Sequence, residues 1–238
     1  MQPNIFMWNG LVKQLCDSDL HIILDHVKAS KNEIYNRNRI SGTDAKCWLT
    51  IPITNFSRSK NIDELLLDLS KTSRSKLDNL FKLRYSNSPF YLIPNAILLT
   101  TLGSFCDTPS LIHVYMRFLD ALRNAGLPIC STVRSSDIIK RHPFILQCKG
   151  IDLVNSLLEV VSASAYLAAQ NTLLYASRED YVIDDIRVQQ FIYQEYSQCQ
   201  SGMLQLDFVP NLSCLDTLAF LDISAFMDYL DRSNTWCS

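Results

Sequence analysis

From Leu20 to Asp25 the side chains alternate, with Leu20, Ile22 and Leu24 on one face and His21, Ile23 and Asp25 on the other. A period of two is that of a strand, and Asp25 stands at its C-terminal end. Cys47 to Ile53 reads as a second strand, halted near Pro52, which has no amide proton for a ladder. The period then lengthens. Leu77, Leu80, Phe81, Arg84 and Tyr85 recur at helical spacing, as do Leu111, Tyr115, Phe118, Leu122 and Ala125. Gly126 and Pro128 close that second helix. Ile129 to Val133 returns to a strand, and Ile151, Val154, Leu157, Leu158 and Val161 make the apolar face of a third helix. Ala163 to Ala168 and Leu204 to Val209 are further strand candidates, and a helix starts near Ser213, with Asp216 three residues on at the spacing of a capping box.

Strands alternating with helices predict an α/β fold: a largely parallel sheet flanked by helices, with an additional helical layer from the middle of the chain. Neither a repeat nor a Gly/Ser linker divides the sequence. Residues 1–238 are therefore read as a single domain, with a candidate helical subdomain at about 61–127.

Composition narrows the function. A hydrophobic content of 47% against 19% charged is that of a chain with a real core, and 22 basic against 24 acidic side chains leave no net pull toward DNA or an anionic membrane. The cysteines at 16, 47, 106, 130, 148, 199, 214 and 237 are scattered, with no CxxC, and read as mostly buried, reduced thiols rather than metal ligands. With no leader or membrane-spanning apolar run, a cytoplasmic location is expected. Gly-rich phosphate loops, HExxH and GxSxG elbows are absent, and no metal or bound cofactor is expected.

Two segments carry candidate chemistry. Asp25 and His26 close the first strand, and in open α/β sheets binding crevices form beyond the carboxyl ends of strands. Asn36-Arg37-Asn38-Arg39 combines planar amides with guanidinium forks able to grip a phosphate, a carboxylate or sugar hydroxyls, although the same residues would also serve as a polar turn into Ile40. With Lys31 before it and Trp48 after it, the segment could line a polar pocket with one aromatic wall.

Several ordered motifs resemble those of the WbqC-like family. Gln2-Pro3-Asn4 with Trp8 and Gly10 resembles its QPxYxPWxGY opening, and Leu24-Asp25 its LDD. Lys31 with Asn36-Arg37-Asn38 resembles KxxWxNRN, and Trp48-Leu49-Thr50-Ile51-Pro52 resembles WLTVPV. Tyr85 with Pro89 and Phe90 is similar to YxxxPxF, and Phe208-Val209-Pro210-Asn211-Leu212-Ser213 with Asp216 to FxPxLSxxD. The chain departs from the pattern at His26 for a second aspartate, at Ile34 for tryptophan and at Leu77 for histidine. It departs again at Tyr166-Leu167-Ala168-Ala169 for YLSG.

The resemblance implies a place in surface-polysaccharide biosynthesis such as that of O-antigen. The implied activity is transfer of an acyl or aminoacyl group, glycine among them, to an amino sugar or sugar nucleotide. The donor would be an activated co-substrate, with a carrier protein or aminoacyl-tRNA as candidate partners. Asp25 or His26 would act as general base, and Arg37, with Asn36 and Asn38, would bind the donor phosphate or the oxyanion. Gln2, Asn4, Trp8, Lys31, Trp48 and Asn211 complete the expected substrate-binding set. The alternatives are a noncatalytic binding or assembly protein of the same pathway, which the loss of serine, histidine and glycine favours, and a hydrolase of an acyl linkage.

Overall fold

The computed structural model describes residues 1–30, 34–41, 47–103, 106–169, 172, 176–196 and 209–237. The element order is α1 (Asn9–Asp17), β1 (Leu20–Ile23), β2 (Arg37–Ile40), β3 (Cys47–Thr50), α2 (Lys71–Tyr85), α3 (Leu92–Leu102), α4 (Leu111–Asn124) and β4 (Ser131–Arg134). There follow α5 (Ser135–Arg141), α6 (Gly150–Val160), β5 (Tyr166–Ala168), β6 (Ile186–Phe191), α7 (Cys214–Phe220), α8 (Ile223–Ser233) and β7 (Asn234–Cys237).

The α/β class holds, but the largely parallel sheet does not. Among the described residues the strands form three small sheets: β1 with β4, β2 with β3, and β5-β6-β7. β1–β4 and β5–β6 pair in parallel, while β2–β3 and β6–β7 are antiparallel. Every strand but β6 has three or four residues, so each ladder is short as well as narrow. The expected strand at 204–209 lies outside the described residues but for Val209.

The helical layer from the middle of the chain is present as α2, α3 and α4. Ser70 and Ser110 cap α2 and α4 by accepting the amides of Ser73 (3.4 Å) and His113 (3.2 Å). Gly126, at φ +101°, closes α4 in the left-handed region that favours glycine. Pro94 sits in the first turn of α3, where a missing N–H costs nothing. The apolar stripe predicted for α4 is buried at Tyr115, Phe118 and Leu122, in a core that runs from Ile5 to Leu230.

β1 lies between this core and a smaller one. Its polar-looking face is the deeper: His21, Ile23 and Asp25 are buried, while Ile22 and Leu24 pack half-buried against Ile138, Ile145 and Leu157. His21 is tied to the Tyr115 hydroxyl at 3.0 Å, and burial pushes its pKa down to about 3, so it is a neutral core histidine. At the start of the chain Met1 is already in ladder register with β1, its nitrogen donating to Ile22 (2.7 Å) and its carbonyl accepting from Leu24 (2.8 Å). Beyond it a cavity of about 530 Å³ opens between Leu20–Ile22 and Tyr166–Leu167.

α1 explains one sequence motif. The Trp8 indole lies over Gly10, and a methyl there would meet ring atoms at 1.9 and 2.0 Å. That ring is itself wedged against Phe191 (5.3 Å, edge-to-face) and Tyr193 (5.9 Å). Gly10→Ala is therefore expected to destabilise the fold by about 1–3 kcal/mol, the usual range for overpacking, despite alanine's better helix propensity. Urea unfolding measures this, and a variant as stable as wild type would show that Trp8 is free to move.

Of the seven described cysteines, two are buried (Cys130 and Cys214), four half-buried and one, Cys106, exposed. None of the seven is joined in a disulfide, and they lie less deeply than the sequence suggested. Among the described residues no helix is long and apolar enough to cross a membrane.

Candidate functional site

The carboxyl ends of the parallel strands β1 and β4 converge on a polar cluster. Asp25 follows β1, and Arg134 ends β4 directly before Ser135 and Ser136 at the start of α5. Asp25 is fully buried. Its Oδ1 accepts the Ser135 hydroxyl (2.9 Å) and the Ser136 amide (2.9 Å). Its Oδ2 accepts the Arg134 Nε (2.6 Å) and the Ser136 hydroxyl (2.8 Å). Burial alone would raise the pKa of this carboxyl. The donors from Ser136, Arg134 and Ser135 outweigh burial and hold it below the usual range, so Asp25 is a fixed anion.

His26 is half-buried, with Nδ1 2.6 Å from the Ser135 hydroxyl. Burial lowers its pKa against the pull of the Asp25 and Asp63 charges, leaving a neutral ring near pH 7. Nε2 has no hydrogen-bond partner among the described residues and is not sealed from solvent. Asp63 borders the cluster. Its amide donates to the Asp25 carbonyl (3.0 Å), and its Oδ2 lies 3.9 Å from Arg134 Nη2. Its pKa is raised, first by burial and then by the Asp25 charge.

The chain leaves this cluster along 60–62: Ile62 donates to the Val27 carbonyl and Ala29 to the Lys60 carbonyl, both at 3.0 Å. Asp25 and Ala29 point inward and are buried, while Lys28 and Ser30 are exposed and His26 half so. Ser30 is on the wall of a cavity of about 320 Å³ shared with Tyr35, Asn36, Arg37, Thr50 and Phe56. Four residues cannot reach further than about 14 Å, which bounds the separation of the His26 and Ser30 backbones.

Arg37 and Thr50 face each other across β2–β3, with Arg39 opposite Trp48, so all four share the outer face. The Arg37 guanidinium stacks on the Trp48 ring at 4.8 Å. Trp48 therefore supports Arg37 from beside the cavity, and the aromatic wall expected of it comes from Phe56 and Tyr35.

The other predicted residues scatter. Asn36 donates its amide to the Ile51 carbonyl (2.6 Å). Asn38 is buried, donating to the Phe6 carbonyl (2.8 Å), which belongs to a residue at φ +63°. Asn4, with its amide turned to satisfy its neighbours, donates to the Ile5 and Ile34 carbonyls. Gln2 is half-buried, directly after Met1 and its contacts to β1. Trp8 packs on Gly10, and Asn211, exposed at φ +62°, accepts the Tyr193 hydroxyl. Lys31 lies outside the described residues.

A second polar centre went unread. Asp216 is not a helix cap: the Ser213 amide that a capping box would offer it donates to the Arg39 carbonyl (2.8 Å) instead. The Asp216 carboxylate is fully buried and accepts Tyr85 OH (2.5 Å), Tyr196 OH (2.6 Å) and the Ser41 amide (3.0 Å). Thr217 and Asn9 extend the chain of bonds, with Thr217 Oγ1 donating to Tyr196 OH (3.0 Å) and Asn9 Nδ2 to Thr217 (2.8 Å). Leu77 and Ala168, which replace polar residues of the family pattern, are both buried and apolar here.

Arg134, Ser135 and Ser136 were also missed. The rule that singled out Asp25, applied to the C-terminal end of the predicted strand 129–133, points straight at them. Among the described residues no group of three or more His, Cys, Asp or Glu side chains could hold a metal ion. No curated protein and no solved structure matches the chain. The motifs from Gln2 through Asp25 and Asn36-Arg37-Asn38 to Asp216 fall within residues 2–227, which match the family model described as "WbqC-like protein family", and the chain belongs to that family.

Proposed function

We propose that the protein transfers an acyl or aminoacyl group, glycine among them, from an activated donor to the amine or hydroxyl of an amino sugar or sugar nucleotide in surface-polysaccharide biosynthesis. The observation that carries this reading is the neutral, anchored His26 at the carboxyl edge of β1–β4, a short run of chain from a cavity walled by Arg37. His26 takes the proton from the acceptor as it attacks the donor carbonyl, and returns it to the leaving group as the tetrahedral adduct collapses. Asp25, with both oxygens occupied and no exposed surface, holds the cluster in place. Arg37 neutralises the donor phosphate or the carboxylate of the transferred group. The activated donor is a co-substrate, and the chemistry belongs in the cytoplasm, where such donors are made.

Mass spectrometry of UDP- and dTDP-amino sugars incubated with the protein and, in separate arms, aminoacyl-tRNA, acyl-CoA or acylated carrier protein tests the proposal. A donor-dependent mass gain on the sugar supports transfer. Free acid without sugar modification shows a hydrolase, and an unchanged mixture in every arm turns the reading to a binding role.

Arg37→Ala is expected to lower kcat/KM about 10- to 100-fold, the worth of one lost charge-assisted contact. Because Arg37 is exposed, the far-UV spectrum should not change. A variant with wild-type kcat/KM would remove Arg37 from the site.

A further inference from the structure

The hydrogen-bond inventory around Ser135 fixes which nitrogen of His26 is free to react. Ser135 is fully buried, and its hydroxyl oxygen has three neighbours at bonding distance: Asp25 Oδ1 (2.9 Å), the Asp25 amide nitrogen (3.1 Å) and His26 Nδ1 (2.6 Å). A hydroxyl has one proton to give and two lone pairs. The Asp25 amide can only donate, and it shares its proton between one lone pair of this oxygen and the Ile23 carbonyl (3.0 Å). Asp25 Oδ1 can only accept, because Ser136 and Arg134 hold that carboxylate in its anionic form. The single serine proton must therefore lie on the line to Asp25; otherwise an unprotonated hydroxyl oxygen would face a buried anion. One lone pair remains, and it faces His26.

We infer that Ser135 holds His26 as the Nδ1–H tautomer, leaving the Nε2 lone pair as the basic site. The charge of Asp25 reaches the imidazole through a hydroxyl rather than by direct contact, so Ser135 is a positioning residue and Asp25 its anchor. The groups facing the ring are Asp25 and Asp63, which favour its protonation, with burial opposing them. Arg134 sits between the two carboxylates and tempers both. The inference deepens the proposed base role but does not depend on it, since a tautomer exists whatever the substrate.

Two-bond ¹H–¹⁵N correlation spectra of the whole protein labelled at histidine nitrogens, recorded near pH 7.5, read the tautomer directly. His26→Asn assigns the signal among the four histidines. Wild type is expected to show an Nδ1–H pattern for His26. Ser135→Ala should move the ratio about fivefold or more toward Nε2–H, the worth of one hydrogen bond. Ser135→Thr, which keeps the hydroxyl, should restore the wild-type pattern. A wild-type His26 in the Nε2–H form, or an unchanged pattern in a folded Ser135→Ala, overturns the inference. Failure of the sugar-transfer assay with the Nδ1–H pattern intact would sink the proposed reaction and leave the tautomer assignment standing.

Discussion

His26→Asn is expected to lower turnover about 100- to 10,000-fold, the range that positioned acid–base catalysis supplies. Asparagine suits the test because its amide N–H can still donate to the Ser135 hydroxyl, whereas it has no basic nitrogen to take a proton. The packing of Asp25, Ser135 and Ser136 should survive, and so should the thermal transition. Donor affinity, which the proposal assigns to Arg37, should change little, so the loss should fall on kcat rather than KM. The pH profile gives a second reading. Because burial lowers the His26 pKa, the base remains unprotonated below the 6.5 of a free imidazole, and wild-type activity should persist into that acidic range. A variant retaining a tenth or more of wild-type kcat would take His26 out of the proton transfer.

Asp216→Ala is expected to cost about 3–5 kcal/mol of folding stability, the largest single effect of any substitution considered. Removing the carboxylate takes from Tyr85 OH and Tyr196 OH the acceptor that they share, and leaves the Ser41 amide only the Tyr85 hydroxyl (3.1 Å). Tyr85 cannot adapt by ionising, since burial, the largest cause of its raised pKa, persists in the variant. It also cannot turn to solvent, being packed against Phe81 (4.6 Å) and Phe220 (6.3 Å). Equilibrium urea unfolding should show a lower midpoint with the slope unchanged. Asp216→Asn, which keeps an oxygen in place, should recover part of the loss. A cost below about 1 kcal/mol for alanine would show that water reaches the tyrosine hydroxyls.

The two cases mark what the residues alone made legible. Asp25 and His26 were found because a strand of period two has a definite C-terminal end, and sheet geometry says what gathers there. The α4 stripe and its Gly126 stop were equally readable, since both rest on contacts within a few residues. Asp216 defeated the same approach. Local spacing made it a cap, but its partners Ser41 and Tyr85 are 175 and 131 residues away, and no local pattern encodes them. Asn36 and Asn38 show a different limit. Their amides look built for a ligand, yet the backbone carbonyls of Ile51 and Phe6 claim their donors first. β1, β3, β4 and β5 were placed to within a few residues, but β2, β6 and β7 were not read as strands, and the pairing was not legible because direction and partner are set by tertiary contact rather than by periodicity.

The ladder contact of Met1 bears on how the protein should be handled. A residue joined to the Met1 nitrogen would continue alongside Ile22 and His21 into the 530 Å³ cavity, where Gln14 Nε2 already occupies the Leu167 carbonyl (2.5 Å). A purification handle fused at that end would be threaded between two strand edges rather than left in solvent.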